Sequence, residues 1–167
     1  NAQPIRSRGP EIELALGHNG NVVNALELRH ELKEWGATFT SSTDSEIIAH
    51  LLAWCPGKTW TDRVGYIMRR LLGAYSLVVT TRDTLIGIRD PLGVRPLCIG
   101  QMGSGWVIAS ESCALDQMGA QFLREVEPGE AIIIDRQGLR SILPRGASVR
   151  RAPCVFENIY FARPDSM

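Results

Sequence analysis

From residue 75 onward the chain is a series of short apolar, β-branched runs with only a few turn residues between them. They read YSLVVTT (75–81), TLIGIRD (84–90), PLCIGQM (96–102) and GWVIASES (105–112). A crossover between parallel strands takes about a dozen residues or more, commonly as a helix. RDPLG and QMGSG are too short for that and suit direct returns. The runs therefore predict mostly antiparallel strands and disfavour a doubly wound βαβ sheet. CALDQMG reads as a short helix, and REVEPGEAIIIDRQGLRSI as two further strands joined by a hairpin turn at DRQG. CVFENIYFARPDSM, at the end, is an apolar and aromatic run with a polar tail.

The first half reads differently. Residues 1–10 are polar and proline-flanked, which predicts a loop. EIELALG alternates Ile12, Leu14 and Leu16 against Glu11, Glu13 and Ala15, the pattern of a half-buried strand. NVVNALELRHELKEWG carries Val22, Val23, Leu26, Leu28, Leu32 and Trp35 near helical spacing, with Gly36 as a stop. SEIIAHLLAW predicts a second helix, ended by Pro56-Gly57. TDRVGYIMRRLLGA predicts a third, with Asp62 available as a cap and Met68, Leu71 and Leu72 on its apolar side. Helices followed by antiparallel strands make an α+β chain, with helices outside layered sheets.

The 167 residues, 44% hydrophobic and 22% charged, suffice for one domain with a core. Eighteen basic residues balance eighteen acidic ones, so nothing favours a nucleic-acid or membrane partner. No apolar run approaches the ~20 residues of a membrane span. Cys55, Cys98, Cys113 and Cys154 form no CxxC pair, which points to a reducing, cytoplasmic setting with structural thiols.

Glycine-rich nucleotide fingerprints are absent. His18, His30 and His50 are not spaced as metal ligands, and the last two fall inside expected helices. Two stretches could carry chemistry. Asn19-Gly20, in LGHNGN, stands at the expected strand-to-helix junction. Glycine there lets a backbone N–H face a pocket, the following helix adds its positive end, and the Asn19 amide offers a second donor. Two such donors can stabilise a tetrahedral oxyanion. An ordinary Asn-Gly turn accounts for the same residues. Asp44, in SSTDSEIIAHLL, is either a helix N-cap or a carboxylate for a ligand's ammonium group.

Taken together, NAQP (1–4), LGHNGNVVNALELR (16–29), SSTDSEIIAHLL (41–52), GAYSLVV (73–79), IRDPLGVRPLCIG (88–100), ASESCAL (109–115), VEPGE (126–130) and YFARPDSM (160–167) resemble the glutaminase domain of the amidophosphoribosyltransferase family. GHNG and TD.E alone fit any class II glutamine amidotransferase, including glucosamine-6-phosphate synthase; RDPLGVRPLCIG and YFARPDSM point to the purine enzymes.

The resemblance implies an N-terminal nucleophile fold, a four-layered αββα sandwich. It implies that Asn19 and Gly20 form the oxyanion hole and that Asp44 receives the α-amino group of glutamine. One departure is SSTDSE, which has one residue more before the aspartate than the family's usual run; Asn158, where a tyrosine is usual, is another. The family's nucleophile is an N-terminal cysteine, and none of the four cysteines here matches it. The chain is accordingly expected to be an interior slice. Residues 1–152 would be a partial glutaminase domain, and 153–167 the start of the connection to an absent phosphoribosyltransferase domain. The slice alone is expected to be inactive. For the whole protein the resemblance implies glutamine and phosphoribosyl pyrophosphate as substrates, Mg2+ in the phosphoribosyltransferase domain and a cytoplasmic homo-oligomer. Cys154 corresponds to the first of four thiolates that hold a [4Fe–4S] cluster in many relatives, and a buried apolar thiol is the other reading of it. Two alternatives remain at this point: another class II amidotransferase, and a non-catalytic glutaminase-like module.

Overall fold

The computed structural model describes residues 2–143. Two antiparallel sheets stack between helices. The larger contains β1 (Ile5–Arg8), β2 (Glu13–Val22), β3 (Gly73–Thr80), β4 (Leu85–Arg89), β8 (Ala131–Asp135) and β9 (Gly138–Ile142), in the order β1-β2-β3-β4-β8-β9. The smaller contains β5 (Cys98–Met102), β6 (Gly105–Ala109) and β7 (Gln121–Glu125), in the order β6-β5-β7. On the outer face of the larger sheet lie α1 (Ala25–Glu34), α2 (Asp44–Trp54) and α3 (Trp60–Arg70); α4 (Ser112–Gln117) covers the smaller one.

Side-chain alternation divides the core into layers. Leu14, Leu16, Leu77, Val79, Ile86, Ile88 and Ile133 face the helices and pack on Leu28, Leu32, Ile48, Leu52 and Ile67. The other face of the same strands gives Val78 and Ile132, which meet Leu97, Ile99 and Ile108 of the smaller sheet's side. Leu115 and Ala120 close the last layer over Cys98. The order helix, sheet, sheet, helix is the expected αββα sandwich.

Several local expectations are corrected. Residues 5–8 are a strand, because Ile5 and the buried Ser7 continue the alternation on the edge of β2. β2 does not stop at Gly17; it runs to Val22 and pairs with β3 along its whole second half. Asn19-Gly20 is therefore neither a turn nor a strand-to-helix junction. α1 is correspondingly shorter, and Val23 and Leu26 stand exposed instead of joining its apolar side. Thr43, not Asp44, caps α2, accepting from the Glu46 N–H. Thr59 caps α3, with Asp62 completing a reciprocal capping box from the third helical position. Leu71 and Leu72 lie beyond α3, and Leu72 is exposed. β7 is a strand that was not expected: it starts at Gln121, ahead of REVEPGEAIIIDRQGLRSI, and β8 and β9 follow within that stretch. RDPLG is not a hairpin return either, since β4 and β5 belong to different sheets.

Candidate functional site

The C-terminal end of β2 brings the two candidate motifs together. His18, Asn19 and Gly20 lie opposite Leu77, Ser76 and Tyr75 of β3. Residues opposite one another share a face. Asn19 thus joins Ser76 and Arg89 on the side between the sheets, whereas His18 and Gly20 face the helices with Leu77 and Tyr75. Asn19 is half-buried, and its carboxamide makes no hydrogen bond among the described residues.

Gly20 is required by close approach. Its φ is +144°, and a Cβ there would lie 2.1 Å from the Ala74 carbonyl oxygen and 2.8 Å from the Tyr75 Cα. The ladder also fixes where its N–H goes. The Tyr75 carbonyl accepts the Asp90 N–H at 2.9 Å, on the β4 side. Tyr75 is thus turned away from β2, and Gly20 opposite it is turned away from β3. The Gly20 N–H emerges on the β1 side, beyond the last β1–β2 pair at Ile5 and Leu16.

Asp44 arrives from the first turn of α2. One carboxylate oxygen accepts the Val22 N–H at 3.0 Å, and the other accepts the Ser45 N–H at 2.8 Å. The side chain retains 21% of its exposure, so part of the carboxylate still faces solvent. Its position at the positive end of α2 favours a fixed negative charge. Asp44 and the Asn19-Gly20 pair thus meet at one strand end, linked through Val22.

Neighbouring groups hold this end in place. The buried His18 places Nδ1 3.0 Å from the Ser45 hydroxyl and 3.8 Å from Asp44. Burial holds its imidazole below the usual pKa; Asp44 opposes that shift and the Arg95 guanidinium adds to it. His18 Nε2 is buried without a partner among the described residues. Glu46, also in the first turn of α2, accepts the N–H and hydroxyl of Thr40 at 2.7 and 2.8 Å and those of Ser41 at 2.7 and 2.6 Å. Burial pushes its pKa up, but these four donors outweigh it and hold the carboxyl at about 2. Asp90 acts similarly on the other side of β3: its carboxylate accepts from Leu92, Val94 and Arg95 N–H groups. That knot delivers the Arg95 and Pro96 carbonyls to the Ser76 hydroxyl, across the ladder from Asn19.

Sequence reasoning missed Glu46 and Asp90 as organisers of the site, and also Gln3, whose carboxamide hydrogen-bonds the His18 backbone. The Thr43-x-x-Glu46 spacing is a helix-start signal that could have drawn attention to Glu46. Nothing local marks Gln3. Cys154 and Asn158 lie outside the described residues. Cys55, Cys98 and Cys113 are buried and free. Burial raises the Cys55 thiol pKa, with Arg63 partly opposing it, and burial followed by Glu125 pushes Cys98 up to about 11. Neither has the depressed pKa of an activated nucleophile. Among the described residues no group of three or more His, Cys, Asp or Glu could hold a metal ion, and no helix is long and apolar enough to cross a membrane.

A layered αββα domain that gathers an amide side chain, an outward N–H and a carboxylate at one strand end is suited to chemistry on an amide carbonyl. Comparison with known proteins narrows this class: the chain belongs to the glutamine amidotransferase domain family, which matches residues 1–117. Its sequence is 43% identical to an amidophosphoribosyltransferase of Archaeoglobus fulgidus, over 100% of this chain and 37% of that one. It is 44% identical to the Bacillus subtilis amidophosphoribosyltransferase, over 99% and 35% respectively. The structure superposes on glutamine phosphoribosylpyrophosphate amidotransferase from B. subtilis, solved with ADP and GMP, with a TM-score of 0.91. That match has 43% identity and covers 100% of this chain and 37% of the other. The chain thus spans little more than a third of the length of these relatives.

Proposed function

We propose that this chain is the glutamine-hydrolysing part of an amidophosphoribosyltransferase. In the whole protein, ammonia released from glutamine displaces pyrophosphate from phosphoribosyl pyrophosphate to give 5-phosphoribosylamine, the first committed step of purine synthesis. The observation that carries this reading is the meeting of Asn19, Gly20 and Asp44 at the end of β2. The relatives named above favour it over a glucosamine-6-phosphate synthase.

Each group has a role. The Asp44 carboxylate receives the α-ammonium of glutamine through a charge-assisted hydrogen bond. A cysteine thiolate attacks the side-chain amide carbon, and the C=O electron pair moves onto oxygen. The Asn19 side-chain N–H and the Gly20 N–H hold that oxyanion. Its collapse expels ammonia once the nitrogen has gained a proton, leaving a thioester that water cleaves to glutamate. Cys55, Cys98 and Cys113 are all buried and none corresponds to the family's N-terminal nucleophile, so this reading takes the thiolate from a cysteine outside the described residues.

Oxyanion donors act on a charge that exists only during reaction, so they affect the chemical step more than binding. In the full-length protein Asn19→Ala should lower glutamine-dependent kcat by roughly 10²–10³-fold with little change in KM. Synthesis from free ammonia should continue, because it bypasses the thioester. Steady-state kinetics with both nitrogen sources test this; normal glutamine turnover in the variant would remove Asn19 from the mechanism.

A further inference from the structure

The β1–β2 pairing runs from Arg8 opposite Glu13 to Ile5 opposite Leu16. Continued in register, Pro4 would face Gly17 and Gln3 would face His18. Proline has no N–H to give, and the backbone ladder stops there. His18 nevertheless keeps both of its edge hydrogen bonds. Its N–H donates to Gln3 Oε1 at 2.5 Å, and its carbonyl accepts from Gln3 Nε2 at 2.8 Å. A primary carboxamide has the same acceptor and donor as a peptide group. Gln3 thus supplies with its side chain the rung that its backbone does not make.

That rung immediately precedes Asn19-Gly20. On the β3 side the segment is held by the continuous β2–β3 ladder. On the β1 side the Gln3 carboxamide is the last constraint before the Gly20 N–H emerges. Opening it would free the β1-side edge of β2 at His18 and let the strand end shift, moving the Gly20 N–H, which lies on that same edge, off its target. Donors of this kind act only when fixed before charge develops.

We propose that Gln3 is a positioning residue for glutamine hydrolysis: its carboxamide clamps the His18 backbone and thereby aims the Gly20 N–H. This rests on the function proposed above. Gln3 itself touches neither substrate nor reacting atoms in that role.

Two near-isosteric variants of the full-length protein separate this from a general structural effect. Gln3→Met removes both hydrogen bonds. It should lower glutamine-dependent kcat about 10- to 100-fold, the scale of a small misplacement of a reacting group, while KM for glutamine and the ammonia-dependent rate stay near wild type. Gln3→Glu keeps the acceptor for the His18 N–H but, when ionised, sets an anion against the His18 carbonyl. A protonated carboxyl restores donor and acceptor together. The glutamine-dependent rate of Gln3→Glu relative to wild type should therefore recover as pH falls from about 8 toward about 5, near the carboxyl range, and that of Gln3→Met should not. Wild-type turnover in both variants, glutamine and ammonia rates falling in parallel, or no recovery of the glutamate variant would each overturn the proposal. Wild type and Asn19→Ala measured alongside keep the two readings apart. A wild-type protein without glutamine-dependent synthesis refutes the function itself. An impaired Asn19 variant beside normal Gln3 variants refutes only the clamp.

Discussion

Replacing Glu46 with glutamine should destabilise the domain and loosen the start of α2, and the structure sets the size of the effect. The Glu46 carboxyl, 5% exposed, is held at about 2, against an ordinary value of 4.5. At about 1.4 kcal/mol per pH unit, that gap corresponds to about 3 kcal/mol in favour of the folded state. Its source is the four donors of Thr40 and Ser41. A glutamine presents one acceptor oxygen and an NH2 group, so the Ser41 N–H would face another donor. Because the folded pKa is depressed, the stabilisation is complete above about pH 4.5 and disappears as pH falls toward about 2. Urea unfolding of wild-type and Glu46→Gln full-length protein, followed by tryptophan fluorescence at stepped pH, measures it. The difference should be about 3 kcal/mol near pH 7, about 2 kcal/mol near pH 3.5 and smaller below that. Burial also holds His18 and His50 below their ordinary 6.5, so both proteins lose stability as pH falls through that value. Subtracting the curves removes the His18 slope but only part of that of His50, whose pKa Glu46 itself raises; the comparison of pH 7 with pH 3.5 is therefore repeated in a His50→Gln background. A difference that is absent at pH 7, or equally large at pH 7 and 3.5, would refute the hydrogen-bond account.

Two site substitutions follow from the same geometry. Gly20→Ala sets a Cβ 2.1 Å from the Ala74 carbonyl oxygen at a φ of +144°, so β2 and β3 must separate; thermal melting should drop and glutamine-dependent turnover should vanish, and wild-type values for both would contradict the close approach. Asp44→Asn retains an acceptor for the Val22 N–H but loses the charge, so KM for glutamine should rise about 10- to 100-fold, the equivalent of about 1.5–3 kcal/mol. The ammonia-dependent rate should hold, and a parallel fall of both rates would reduce Asp44 to a structural role.

The fold was legible wherever a periodic pattern met a clear stop. Leu28 and Leu32 marked the buried stripe of α1, and Gly36 its end; Pro56-Gly57 closed α2. The apolar runs of 75–81 and 84–90 and the apolar part of REVEPGEAIIIDRQGLRSI matched strands with few errors, because these strands are buried on both faces, one under the helices and one against the smaller sheet. Failures fell where long-range contact decides. Residues 5–8 are polar enough to read as loop, yet β2 offers them an edge. Val23 and Leu26 fit a helical stripe by spacing, but the strand running through to Val22 delays α1 and leaves both exposed. RDPLG has turn composition, and it is compact; what composition could not supply is that Asp90 uses it to carry the chain from one sheet to the other.

The site shows the same division in one pair of residues. An asparagine and a glycine between an apolar alternation and a helical run satisfy every local criterion for a turn. A positive-φ glycine inside a strand satisfies them equally, since both uses exploit the missing Cβ. What separates the two is the Ala74 carbonyl, far along the chain, which occupies the space a side chain would need. The consequence for chemistry is direct. A turn would leave the Gly20 N–H on a segment free to reorient, whereas a strand fixes it by register: Tyr75 gives its carbonyl to Asp90, so Gly20 must look the other way. On the function proposed above, the donor's direction is set by three strands and a loop before any substrate arrives, the preorganisation an oxyanion site requires. By the same logic the helix that follows is not the origin of the donor, because α1 begins only at Ala25. The helix that matters electrostatically is α2, whose positive end carries Asp44 to the strand. Local sequence named the groups; the pairing of β2 with β3 and its junction with α2 determine what those groups can reach.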